Sequence, residues 1–218
     1  MNRKPELRII LESGWRLLLY GLLTTGIIAG TWVFTRDRID QQIRHSQLQR
    51  LTTVVPHVLF DNDLANATIA LPEKEALGAV RRSSGWIARF AGAPVAVIVP
   101  VTAPDGYNGR IELLVGIDKK GGITGVRAVS HRETPGFGNG IETEVSDWIL
   151  AFTGHSRLWP EKNGWAVRKA GGEFDQMTGA TVTSRAVVAA VYRALEYFHR
   201  HSDTLLRSSS PRPKNSNE

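Results

Sequence analysis

The stretch PVAVIVPVTAPDGYNGRIELLVGIDKKGGITGVRAV, residues 94–129, decides the fold of this chain. It holds three apolar runs, at 94–101, 110–118 and 123–129, and a turn containing glycine at 119–122 separates the last two. A turn of this kind between two apolar runs is typical of an antiparallel hairpin. The stretch therefore predicts a three-stranded antiparallel meander.

Helical patterns stand on both sides of the meander. Before it, the polar segment 36–51 carries a thin apolar stripe, and segment 71–84 has a short helical pattern that ends near Gly85. After it, apolar residues spaced as on one helix face predict helices over 141–152 and 184–201. Residues 165–167 predict a short strand between these two helices.

Strands and helices in separate blocks indicate an α+β fold, in which helices flank an antiparallel sheet. We expect one domain over 93–203 and a helical linking segment over 36–92. Residues 204–218 are rich in serine, proline and asparagine, a composition that predicts a disordered tail.

The segment LLLYGLLTTGIIAGTWVFT, residues 17–35, has no charged side chain. A helix of this length rises about 28 Å, close to the hydrocarbon thickness of a bilayer. A cleaved signal peptide would have small residues at a cleavage site directly after the apolar part, whereas here Arg36, Asp37 and Arg38 follow. The segment therefore predicts a retained, single-pass transmembrane helix.

The flanking charges predict the direction of this helix. Four cations lie within residues 1–16, whereas two, Arg36 and Arg38, follow the apolar segment closely. Cations are enriched on the cytoplasmic side of membrane helices. We expect residues 1–16 in the cytoplasm, the helix in a bacterial inner membrane and the main domain in the periplasm.

Composition excludes several classes of function. The chain has a formal net charge of +6 and no cysteine, so cysteine-ligated iron–sulfur clusters, zinc-thiolate sites and c-type haem attachment are excluded. The basic residues form no stripe interleaved with aromatic residues, and we expect no nucleic-acid binding. His131 and Glu133 share one strand face without an evident third ligand, so we predict no metal site. No arrangement of serine, histidine and aspartate suggests a catalytic residue.

The segment DQMTGATVTS, Asp175 to Ser184, crowds hydroxyl side chains in front of the last predicted helix. The free backbone N–H groups and the dipole at a helix start favour an anion such as a phosphate. On the residues alone, an ordinary N-terminal cap with additional threonines is the favoured explanation of the pattern. Four hydroxyls compete for any special role: Thr178, Thr181, Thr183 and Ser184.

A glycine-rich loop at 131–140 is the second candidate for the site. Glycines allow close approach of the backbone to a ligand, and Pro135 stiffens the loop. The alternative is a plain connection between a strand and a helix. The residues that we expect to form a second wall of the site are Glu133, Thr134, Gly136, Phe137 and Gly138.

The run Asp175-x-x-Thr178-Gly179-Ala180-Thr181 resembles the flavinylation motif of the FMN-binding domain family. In that family, a dedicated flavin transferase moves FMN from FAD onto the last threonine of the motif. The resemblance implies one covalent FMN, bonded to Thr181. It also implies cofactor contacts from the rest of the motif, namely Asp175, Thr178, Gly179, Ala180, Thr183 and Ser184.

Three further segments, 106–111, 114–118 and 131–138, resemble the G subunits of the Rnf (Rsx) electron transport complexes, with Phe137 where that family usually has leucine. The resemblance implies an electron relay within an ion-translocating NADH–ferredoxin oxidoreductase, with the other membrane subunits as partners. The net reaction would then belong to the whole complex, and the chain is an enzyme only as a member of it. Two alternatives stay open: a cofactor-free anchored binding or assembly module, and a flavoprotein similar to the C subunits of the sodium-translocating NADH:quinone reductases.

Overall fold

A computed structural model describes residues 4–78 and 84–208 of the chain. The chain divides into two compact units, Met1–Ser46 and Gln47–Glu218. Helix α1 begins at Lys4 and ends at Thr52, so the helix predicted over 36–51 is confirmed. Within α1, Gly14–Thr35 is long and apolar enough to cross a membrane, and its leucine and isoleucine side chains are exposed, as a lipid-facing helix requires.

The second unit is built on a five-stranded antiparallel sheet in the order β1-β2-β3-β4-β5. The strands are β1 (Thr68–Ala70), β2 (Ser84–Phe90), β3 (Ala93–Gly106), β4 (Gly109–Asp118) and β5 (Ile123–Ser130). The predicted meander is confirmed as β3, β4 and β5. The predicted α+β class is also confirmed, since helix α2 (Thr181–Arg207) follows the sheet.

Strands β1 and β2 were not predicted, and they correct the prediction for 71–84. Only Lys74–Leu77 forms a short 3-10 helix there, and Ser84 already belongs to β2, while residues 79–83 lie outside the described part. Trp86, Ile87 and Ala88 are all buried, because the sheet is covered on both faces. A strand buried on both faces loses the alternation of apolar and polar residues that identifies strands in a sequence.

Two apolar clusters cover the two faces of the sheet. The larger cluster lies between the sheet and α2 and includes Val97, Val99 and Val101 of β3. The smaller cluster takes Ile98 of the same strand and Leu51 from the end of α1. Alternate residues of β3 thus serve opposite faces, as the pleat of a strand dictates.

Val54, just after α1, belongs to the smaller cluster and packs closely against two glycines of the sheet. A Cβ atom added at Gly125 would lie 2.7 Å from the carbonyl oxygen of Val54, and one at Gly116 would lie 2.9 Å from the same oxygen. The Thr124 hydroxyl donates a hydrogen bond to this oxygen at 3.0 Å. Val54 and its neighbours Leu51 and Val55 are therefore part of the folded core of the second unit.

Helix α2 packs mainly against β3 and confirms the last predicted helix, with corrected ends. It begins at Thr181 instead of residue 184 and ends at Arg207. The first four residues of the tail predicted over 204–218 are therefore helical, and residues 209–218 lie outside the described part.

Two other predictions for the region before α2 were wrong. Segment 141–152 is no α-helix: it contains parts of two 3-10 helices, Gly138–Ile141 and Trp148–Phe152. The Ser146 hydroxyl donates to the carbonyl of Gly140 and accepts from the N–H of Trp148, and such local bonds compete with helix formation. Segment 165–167 lies between two further 3-10 helices, and Val167 makes one isolated bridge with Phe174.

Tyr197 of α2 gives the first test of this packing. Its buried hydroxyl donates to the carbonyl oxygen of Pro72 at 2.5 Å, and burial raises the pKa of Tyr197 to about 12. We expect Tyr197→Phe to lower the free energy of unfolding by about 1 kcal/mol, because the Pro72 carbonyl loses its partner. The matched change Tyr192→Phe removes a bond to Glu196 on the helix surface and is expected to cost less than about 0.5 kcal/mol.

The raised pKa of Tyr197 also fixes the sign of a pH effect. An unfolded chain releases the tyrosine proton near pH 10 and the folded protein near pH 12. The stabilisation is therefore complete below about pH 10 and is lost as the pH rises to about 12. Denaturant unfolding of wild type and Tyr197→Phe at pH 8 and pH 11 measures both effects. The free energy of unfolding should fall more between these pH values in wild type than in Tyr197→Phe, and an equal fall in the two proteins would contradict this account.

Candidate functional site

One pocket, of about 260 Å³, lies where three parts of the second unit meet. These parts are the β3–β4 turn, the loop that follows β5, and the segment that leads into α2. The lining residues come from all three: Tyr107, Glu133, Thr134, Phe137, Gly138, Gly179, Ala180 and Thr183.

Glu133 lies at the centre of this meeting point. Its side chain is buried, with 5% of the residue exposed. It accepts a hydrogen bond from the Thr183 hydroxyl at 2.5 Å and one from the backbone N–H of Asn108 at 3.1 Å. One carboxylate therefore joins the loop after β5, the β3–β4 turn and the first turn of α2.

Two glycines make room for this carboxylate. A Cβ atom added at Gly138 would lie 2.5 Å from Glu133 Oε2 and 3.0 Å from Thr183 Oγ1. A Cβ atom added at Gly106 would lie 2.9 Å from Glu133 Oε1. Any larger residue at either position would push against the buried carboxylate.

Thr181 is the first residue of α2, and this position suits it to an anion. The residue before it, Ala180, provides no side-chain cap, and the first turn contains no acidic residue. The first N–H groups of a helix have no partner within the helix, and they attract negative charge. The alternative of an ordinary hydroxyl cap does not fit this helix start, because the N-cap position is Ala180, and the first turn of α2 presents backbone donors without a side-chain cap.

The structure separates the four hydroxyls that the sequence left in competition. Thr183 and Ser184 are fully buried. The Thr183 hydroxyl binds Glu133, and the Ser184 hydroxyl donates to the Ala180 carbonyl and accepts from the N–H of Met177. Thr178 is exposed and Thr181 is partly exposed. Only the last two can reach an external reactant.

Aromatic rings form the open rim of the pocket. Phe137 is 57% exposed and lies against Gly179, where an added Cβ atom would be 2.6 Å from the ring. Gly179 has a φ of +76°, a conformation that glycine adopts without strain. Tyr107, 68% exposed, lies in the β3–β4 turn and was missed, because nothing in the sequence places this turn beside the start of α2.

Several residues predicted for the site do not line the pocket. Asp175 is exposed and pairs with Arg168 at 3.2 Å, and Gly136 is exposed beside the pocket residue Phe137. Thr178, the buried Ser184 and Thr181 itself are likewise absent from the lining, although Ala180, directly before Thr181, is part of it. His131 and Glu133 do not share a strand face, because β5 ends at Ser130. His131 instead accepts from the backbone N–H of Glu133 through Nδ1.

The sequence of this chain matches known protein families and relatives. The FMN-binding domain family matches residues 106–196, and the RnfG N-terminal region matches residues 1–54. The G subunit of the ion-translocating oxidoreductase complex of Vibrio cholerae is 41% identical over 205 residues, covering 94% of this chain and 98% of that protein. The G subunit of the corresponding complex of Cronobacter sakazakii is 45% identical over 188 residues, covering 86% of this chain and 89% of that protein.

The chain belongs to the family of G subunits of ion-translocating oxidoreductase complexes. The family predicted from the sequence is thereby confirmed, together with an FMN-binding domain. A crystal structure of the C subunit of the sodium-translocating NADH-quinone reductase from Parabacteroides distasonis has a TM-score of 0.52 at 18% identity, over 80% of this chain and 98% of that one. At this identity, the likeness shows a shared fold between this chain and that protein.

The buried contact between Thr183 and Glu133 gives a stability test of the site. We expect Thr183→Val to lower the free energy of unfolding by about 1.5–3 kcal/mol, because a buried carboxylate loses a hydrogen bond. The matched change Thr178→Val, in an exposed position of the same segment, should stay within about 0.5 kcal/mol. Equal losses for the two variants, measured by urea unfolding, would contradict the assigned role of Thr183.

Proposed function

We propose that the chain carries one FMN, bonded covalently through its phosphate to the hydroxyl of Thr181. The observation that carries the proposal is the position of Thr181 at the uncapped start of α2, directly beside the pocket. The burial of Thr183 and Ser184 supports it, since neither hydroxyl is accessible. Thr178 is accessible, but it precedes the helix and lacks the donors of the first helical turn.

The attachment is a phosphoryl transfer from FAD. The hydroxyl oxygen of Thr181 forms a bond to the phosphorus of the FMN half, the bond from that phosphorus to the AMP oxygen breaks, and AMP leaves. The hydroxyl proton passes to a base of the flavin transferase, which is therefore a partner in maturation. The product is a phosphodiester with one negative charge, which the N–H groups of the first turn of α2 stabilise.

The residues of the pocket fit this cofactor. Tyr107 and Phe137 present exposed aromatic surface to a flat ring, and Gly179 and Gly138 keep the backbone close. When bound, FMN supplies a ring that takes up and releases electrons. The chain itself binds, orients and tethers the group, and the tether keeps the cofactor from being lost to the surroundings.

Family membership extends the proposal to the assembly. The relatives in the G subunit family are named for ion-translocating oxidoreductase complexes, and we assign this chain the same role, a membrane-anchored flavoprotein subunit. It relays electrons between other membrane subunits of a complex that couples NADH–ferredoxin electron exchange to ion transport. We also place the N-terminus in the cytoplasm and the second unit in the periplasm, with residues 17–35, inside the apolar segment Gly14–Thr35, as the single span.

The attachment site is tested by coexpressing the full chain with a flavin transferase. Denatured wild-type protein should give a band that fluoresces under ultraviolet light, and the band should vanish in Thr181→Ala because the acceptor oxygen is gone. Thr181→Ser retains a hydroxyl at the same position and should keep at least part of the label.

Thr178→Ala is the matched control, since it removes the other accessible hydroxyl of the motif. It should retain a labelled band. A colourless wild-type band would favour the cofactor-free binding or assembly module, and a label that survives in Thr181→Ala would move the attachment site elsewhere.

The lack of cysteine makes the membrane orientation directly testable. Lys120→Cys, in the exposed β4–β5 turn, should react in intact spheroplasts with a maleimide that does not cross membranes. Asn2→Cys should react only after lysis, because residues 1–16 are assigned to the cytoplasm. The reverse pattern of labelling would invert the assigned topology.

A further inference from the structure

We propose that the negative charge of Glu133 lowers the reduction potential of the flavin held at Thr181. This inference rests on the proposed function, because it needs the flavin ring in the pocket. It goes further by assigning one side chain the control of a measurable property of the cofactor. The argument uses the position, the surroundings and the charge of Glu133.

The position of Glu133 brings its charge to the pocket. Among the lining residues, Glu133 is the only one with a carboxylate, and none of them is a lysine, arginine or histidine. The carboxylate also contacts the hydroxyl of Thr183, two residues beyond Thr181 in the first turn of α2. A ring tethered at Thr181 and lying in this pocket is therefore close to a fixed negative charge.

The surroundings of Glu133 leave this charge without a cation. Within the ion pairs of the described ranges 4–78 and 84–208, Glu133 pairs with no lysine, arginine or histidine side chain. Its two partners, the Thr183 hydroxyl and the Asn108 N–H, are neutral donors. Neutral donors hold the carboxylate in place but do not cancel its net charge.

A fixed charge of this kind acts on electron uptake. Each electron that the ring receives from a reducing partner adds one negative charge to the pocket before any proton follows. Like charges repel more strongly in a buried site than in water, and charge near the ring is one way in which a protein tunes a flavin. The Glu133 carboxylate therefore disfavours the reduced cofactor.

A purely structural role is the competing explanation, and the variant Glu133→Gln separates the two. Glutamine keeps the shape of the side chain but removes the charge. Its amide oxygen can accept from the Asn108 N–H, and its NH2 group can donate to the Thr183 hydroxyl, in place of the two carboxylate oxygens. We expect full-length Glu133→Gln, coexpressed with the flavin transferase and purified in detergent, to have a higher midpoint potential than wild type. A dithionite titration against a reference dye measures the shift.

Two further variants control for the position and for the charge. Glu133→Asp keeps the charge on a shorter side chain, so its midpoint potential should stay below that of Glu133→Gln. Glu144→Gln removes an exposed carboxylate that does not line the pocket, and solvent screening should make its effect much smaller than that of Glu133→Gln.

The outcomes separate failure of this inference from failure of the proposed function. An unlabelled wild-type band under ultraviolet light would overturn the covalent attachment itself. A labelled Glu133→Gln protein with the wild-type potential would leave the attachment intact and overturn the role of Glu133.

If Glu133→Gln does not fold, Thr134→Lys provides the test from the other direction. Thr134 lines the pocket and is partly exposed, so a lysine there brings a positive charge to the same space. The midpoint potential should rise relative to Thr134→Gln. Equal potentials for these two variants would overturn the inference.

Discussion

The hydrogen bond between Glu133 and Thr183 is the contact on which the site depends. It fastens the loop after β5 to the first turn of α2, and the bond from Asn108 adds the β3–β4 turn. Three segments that are far apart in the chain are thereby held around one pocket. The same contact also occupies the Thr183 hydroxyl, which is therefore not available as an acceptor for the proposed flavin attachment.

The arrangement of the sheet explains why these segments can meet. Helix α2 packs on β3, and the five antiparallel strands connect in sequence order. The β3–β4 turn, the end of β5 and the start of α2 therefore lie at the same end of the strands. Loops at such an edge are free to carry functional residues, because the two clusters that cover the sheet supply the stability.

The parts of the fold that depend on local pattern were predictable from the sequence. The apolar runs of β3, β4 and β5, the face of α2 and the segment Gly14–Thr35 each have a period or a length that identifies them. Strand β2 and the 3-10 turns before α2 do not, because double burial and side-chain bonds to the backbone remove the regular pattern. The motif around Thr181 was recognised by its resemblance to the flavinylation motif of the FMN-binding domain family. The partners of Glu133 and the position of Tyr107 could not be predicted, because they depend on tertiary contacts that no local pattern encodes.

The close packing of Val54 against Gly125 and Gly116 limits where the chain can be truncated. Leu51, Val54 and Val55 belong to the core on the second face of the sheet, so the last residues of α1 and those just after it are no spacer. A soluble version of the flavin domain must therefore begin upstream of Leu48. A cut between Val55 and β1 would remove Leu51, Val54 and Val55 from that core.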